Sequence, residues 1–317
     1  MVIMYHVIKR EKNINNFYLW LISFLVAFVC CWIIKIYVVE GYFVDLNLKS
    51  FREMYKEKDE NISVYEQCDQ KNKKSAELLA PLIAVNPDII GWLSIKNTSV
   101  DYPVMQSPGN KPNFYLDHDS NKKYSPNGSI FISGNEKFAE NSKNTVIHGH
   151  NLRSGKLFGA LIKYNNINFY KKAPVIKFNT KFGSSDWKIF AILKTNIRPE
   201  QGKVFNYITS KFKSNSKFLN FLHELKIRSI YDIPVKLNAS DKILMLSTCS
   251  YEMKDFRTVI VARKVRKNED ENVDVAKVKK VENPKMPEGY YKLKKIKPNK
   301  FNSFAQDLKN KKIDWLD

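Results

Sequence analysis

Cys249, His150 and Arg257 are the three side chains whose types and surroundings suit a single reaction. A cysteine attacks as its thiolate, and an ordinary thiol, with a pKa of about 8.5, is mostly protonated at neutral pH unless cations stand beside it. An imidazole can pair with that thiolate and then protonate a leaving amine. A guanidinium can hold a substrate carbonyl or the oxyanion that forms from it. The three together are equipped for acyl transfer. His148 and His150 alone would supply only two metal ligands, with no cysteine or carboxylate cluster beside them, so neither a metal nor a cofactor is expected.

The elements that must position these groups can be read from the flanking pattern. Residues Asn144 to Ile147 form a β-prone run that breaks at Gly149 and presents His150 in a loop. Ile243 to Ser247 form an apolar strand that delivers Cys249 at its exit, and Arg257 opens the next strand eight residues later, so a hairpin returns it to Cys249. Further short β-prone runs span 89–95, 100–105, 129–132, 175–178, 187–193 and 258–264, separated by turn residues, which predicts an all-β barrel or sandwich. One stretch, Phe205 to Lys226, repeats Phe212, Phe218, Phe221, Leu222 and Leu225 at helical steps; His223 within it is read as structural or solvated.

On these residues the chain resembles the sortases, and among them class B. The family's nucleophile motif, Thr-Leu-x-Thr-Cys, is matched by Met245 to Cys249, with Met245 in place of the first Thr at a strand-packing position. Gly149, His150 and Asn151 match its histidine motif, Arg257 matches its arginine, and His148 stands where relatives often carry an aromatic residue. The stretches Asn86 to Leu93, Tyr102 to Met105, Phe114 to Leu116 and Gly128 to Phe131 follow in the family's order, and the resemblance runs over about residues 79–264. It implies a mainly β fold, a closed sortase-type barrel with N-terminal helices and a helical insertion between late strands. It also implies a cysteine transpeptidase that cleaves a C-terminal sorting signal after Thr and passes the acyl group from Cys249 to a peptidoglycan amine, with His150 and Arg257 as catalytic partners. By the same resemblance Ser247, Tyr207 and Ile208 touch the sorting signal. The implied partners are secreted proteins bearing that signal and the amine of a peptidoglycan precursor.

The remainder of the 317 residues supplies location. Phe17 to Ile34 is an uncharged apolar run long enough to cross a bilayer. Lys9, Arg10 and Lys12 precede it while Glu40 and Asp45 follow, which places residues 1–16 in the cytoplasm, residues 17–39 across the membrane and the rest outside. The competing reading, a cleaved signal peptide, lacks a small-x-small cleavage site in the bulky segment after the run. Residues 40–80 read as helical, 81–265 as the catalytic domain, and 266–317 as a basic, mobile tail rich in Lys, Glu and Asn. The net charge of +21 favours a polyanionic neighbour, but zinc-finger spacing, an RNP signature and a P-loop are all lacking, so nucleic acid is not expected.

Cys30 and Cys31 fall in the apolar run, and a Cys68–Cys249 disulfide is the alternative use of the nucleophile. Rival functions are a cysteine peptidase, an L,D-transpeptidase, a pilin-polymerising sortase and, from another class, a non-catalytic wall-binding module. L,D-transpeptidases carry Arg immediately after the nucleophile region, where this chain has Ser250 and Tyr251.

Overall fold

The computed structural model describes residues 2–63 and 71–317; Cys68 lies outside them. Helix α1 (Val2–Ile34) continues through one π-helical turn, Lys35–Val39, into α2 (Glu40–Ser63), and α3 (Lys71–Val85) follows. Within α1 the stretch Asn16–Ile34 has a mean hydropathy of 2.5 and none of it is buried, so it is long and apolar enough to cross a membrane. In α2 the pattern changes: Val44, Leu48 and Phe51, three to four residues apart, bury one face against the body of the protein.

The eight runs read as strands are β1 (Ile89–Ser94), β2 (Asp101–Gln106), β3 (Ile130–Ile132), β4 (Asn144–His148), β5 (Val175–Thr180), β6 (Gly183–Thr195), β8 (Ile243–Ser250) and β9 (Phe256–Lys264). They close into a barrel in the order β1-β2-β3-β4-β8-β9-β6-β5. Only β2–β3 and β4–β8 pair in parallel; the rest are antiparallel. The central strands β8 and β9 are almost wholly buried, which is why their sequences read as continuous apolar runs rather than alternations. A second, smaller core joins Phe51, Leu79 and Leu82 of the helices to Ile89, Trp92 and Met105. Each such buried side chain stabilises the fold by roughly 1.5–3 kcal/mol. Trp92 anchors it, stacking on Tyr55 at 4.4 Å between centroids and donating its Nε1–H to Asp101 at 2.7 Å.

Two expectations are corrected. After the short helix α4 (Ile167–Lys172), the helical insertion begins at α5 (Asn215–Arg228) and not at Phe205, because Ser214 accepts a capping hydrogen bond from Lys217 N, while the preceding segment follows an irregular path along a cavity wall. Residues 266–317 are not a loose tail. Lys279 and Lys280 (β10) pair with Tyr231 and Asp232 (β7), and two short helices follow, α6 (Glu288–Lys294) and α7 (Phe304–Lys309). Val278, Tyr291, Phe304 and Trp315 are each buried. His223 is buried too, paired with Asp307 of α7 at 2.9 Å. Composition hid this because a few apolar anchors, spread far apart among lysines, leave no periodic signal.

Candidate active site

Cys249 lies inside β8 and faces Arg257 of β9 across the antiparallel ladder, where the two are direct partners. Arg257 Nη1 donates to Cys249 Sγ, and Cys249 is a free, half-buried thiol. The turn between them is clamped from β6 and the segment after it. Lys194 Nζ donates to Ser250 Oγ at 3.1 Å and Thr258 Oγ1 at 2.8 Å and pairs with Glu252 at 2.7 Å. Arg198 pairs with Asp255 at 2.5 Å, and Gln201 donates to the Lys254 carbonyl at 2.7 Å. Burial pushes the Lys194 ammonium below its ordinary pKa, with Glu252 opposing the shift. For Glu252 burial acts upward and is outweighed by Lys194 and Ser250, which hold the carboxyl below the usual range.

The histidine loop is tied to the cysteine strand at several points. Gly149 N donates to Ser247 O at 3.2 Å, Thr248 Oγ1 to Gly149 O at 2.7 Å, and Asn151 Nδ2 to Cys249 O at 2.9 Å. A Cβ at Gly149 would lie 2.8 Å from both Ile130 and the Phe158 ring, so the loop can pass this close only with glycine there. From the other side α2 holds the same loop: Asp45 pairs with Lys156 at 2.6 Å and Arg52 at 2.9 Å. Burial tends to raise the Asp45 pKa, but these two cations keep it lowered.

His150 Nε2 lies 2.7 Å from the Leu116 carbonyl. A carbonyl only accepts, so Nε2 carries a proton and Nδ1 is left to exchange one. Among the described residues no hydrogen bond joins the imidazole to the thiol; the two share a cavity of about 610 Å³. All six residues singled out from the sequence line it: Cys249, His150, Arg257, Ser247, Tyr207 and Ile208. Tyr207 and Ser247 hydroxyls are 2.9 Å apart, and Asn144 Nδ2 fixes the Tyr207 and Thr209 carbonyls at 2.8 and 2.9 Å. Burial raises the Tyr207 pKa. Ile208 is exposed, as are Ile197 and Val204, giving the cavity an apolar, open wall suited to an extended peptide.

Sequence reasoning placed His148 in a supporting position; it lines the cavity itself. Its half-buried ring packs at 5.8 Å from Phe131, and burial, with the charge of Arg257 behind it, pushes its pKa down to about 4. His148 is therefore neutral at physiological pH. Also missed were Lys194, Glu252 and Glu136, which lines the same cavity. The one available signal was a lysine directly after the apolar run Ile189 to Leu193.

The family model for a sortase domain matches residues 93–265. Sortase B of Listeria monocytogenes is 32% identical over 242 residues, covering 73% of this chain and 95% of that protein. Sortase B of Staphylococcus aureus is 31% identical over 212 residues, covering 64% of this chain and 84% of that protein. Among solved structures, a Staphylococcus aureus sortase B–substrate complex matches with a TM-score of 0.62 and 26% identity, over 72% of this chain and 99% of the other.

Proposed function

The chain belongs to the sortase family, in its class B, and from that premise we propose that it is a membrane-anchored cysteine transpeptidase acting through Cys249, His150 and Arg257. Membership of this family carries a cell-wall transpeptidase role. The observation that carries the assignment to these three residues is the hydrogen bond from Arg257 to Cys249 in a cavity that His150 also lines.

In this reading the reacting forms are the Cys249 thiolate, which Arg257 Nη1 contacts, and the His150 imidazolium. Cys249 Sγ attacks the carbonyl carbon of the sorting signal's Thr, forming the S–C bond. Arg257 holds the resulting oxyanion. The C–N bond breaks as the imidazolium gives its proton to the departing amine, leaving a thioester on Cys249. A wall amine then attacks the thioester and gives up a proton to His150; the new C–N bond forms and the thiolate leaves. Ser247, Tyr207 and Ile208 hold the signal along the cavity. Residues 17–39 anchor the enzyme, with the barrel on the outer side, where both substrates arrive.

The experiment is mass spectrometry of the full chain after exposure to a library of sorting-signal peptides. A peptide mass retained on Cys249, absent in Cys249→Ala and released by an added amine as an amide product, is the expected result. Release at the same rate and only as acid, with and without amine, would make the protein a peptidase. Protease digestion of intact cells checks the anchor: the barrel should be degraded from outside while residues 1–16 survive.

A further inference from the structure

Glu136 supplies the one carboxylate among the described residues lining the cavity of Cys249, and the reaction above gives it no task. Its placement is built rather than incidental. Gln106, at the end of β2, donates Nε2–H to the Glu136 carbonyl at 3.0 Å and accepts from Phe138 N at 3.0 Å, so a single amide organises the loop that carries it. Glu136 Oε2 accepts from Ser210 Oγ at 2.5 Å, and Ser210 follows closely in the segment whose Tyr207 and Ile208 line the same cavity. The carboxylate thus ties its own loop to the Tyr207 segment and is held before any substrate arrives. In a chain with 53 Lys and Arg against 32 Asp and Glu, no described cation pairs with it.

A fixed anion in a largely apolar cavity recognises a cation by charge-assisted hydrogen bonding. We propose that Glu136 is a subsite for an ammonium group of the bound substrate. This rests on the transpeptidase reading and deepens it. The ammonium has two sources, a lysine side chain within the sorting signal or the acceptor amine before it loses its proton. Glu136→Gln keeps a group that can bond Ser210 and removes only the charge.

The test uses the full chain in micelles and reads acylation of Cys249 by mass spectrometry, without acceptor. Peptides carry Lys, norleucine or Glu in turn at each position before the scissile Thr. For a lysine in the signal, the wild-type protein prefers Lys to norleucine at one position by about fivefold, the worth of a partly exposed ion pair. That preference vanishes in E136Q, returns in E136D and turns toward Glu in E136K. For the acceptor source, acylation shows no such preference. Instead, E136Q slows resolution of the acyl-enzyme by a charged amine relative to neutral hydroxylamine by a similar factor. If E136Q matches wild type in both the Lys-to-norleucine ratio and the amine-to-hydroxylamine ratio, the proposal is overturned. If no peptide acylates the wild-type protein, the transpeptidase reading itself fails and takes this subsite with it.

Discussion

Lys194→Met should loosen the catalytic hairpin from behind, and the size of the effect can be worked from its contacts. The Lys194 side chain is 6% exposed and pairs with Glu252, whose side chain is 26% exposed. It also satisfies the hydroxyls of Ser250 and Thr258. Removing one partner of a buried ion pair costs about 3–5 kcal/mol, most of it from the charge left behind. Glu252 can turn partly to water, which lowers that figure, while two hydroxyls lose a donor, which raises it. Methionine refills most of the volume and avoids desolvating an ammonium. The balance is about 3 kcal/mol, or about 6–12 °C in Tm for a domain of this size. Adding Glu252→Gln to Lys194→Met removes the stranded charge and should restore at least about 1 kcal/mol. Activity separates a positioning role from a merely structural one. The turn held by Lys194 joins Cys249 to Arg257, so acylation in K194M should fall in kcat with KM little changed, measured well below the mutant's Tm. Lys194→Arg should recover part of both. A Tm within about 2 °C of wild type, or a lowered Tm with an unaltered kcat, would refute the reasoning.

Arg257→Lys should lower kcat/KM by about 100-fold, because a lysine keeps the charge but loses the planar fork that can hold both thiolate and oxyanion; steady-state kinetics on a sorting peptide measures it. Acid should destabilise the fold below about pH 4.5. Arg263 holds the Glu269 carboxyl well below its usual range, and Lys194 and Ser250 lower Glu252 despite its burial. A folded pKa below the unfolded value contributes stability above the latter, lost as pH falls through the former. Urea midpoints between pH 6 and pH 3 should therefore decline less steeply in Glu269→Gln. Trp315→Ala should cost about 3 kcal/mol, since Trp315 is buried and pairs its backbone with Leu237; limited proteolysis should then cut the segment after Val265 first.

What could be read from the sequence and what could not divides along a physical line. The eight barrel strands were legible because each is a short apolar run with turn residues at its ends, and such runs close only into a few architectures. Cys249 and Arg257 were legible because a hairpin places residues equidistant from its turn side by side, and the ladder pairs these two. His150 was legible because Gly149 breaks its strand where a side chain would strike Ile130 and Phe158. The remaining features depend on contacts between segments far apart in the chain. Glu136 meets Ser210 across 74 residues, Lys194 of β6 meets Glu252 of the turn between β8 and β9, and the Trp315 carbonyl accepts from Leu237 N. None of these pairs leaves a local periodicity, and in a chain this rich in lysine a single carboxylate or one more lysine looks like solvated surface. Local pattern therefore located the side chains to which the proposed reaction gives the bond-making roles, which sit on regular strands and their turns. Lys194 and Glu252, which clamp the turn between Cys249 and Arg257, and Glu136, the proposed ammonium subsite, became visible only when the segments around the cavity were assembled.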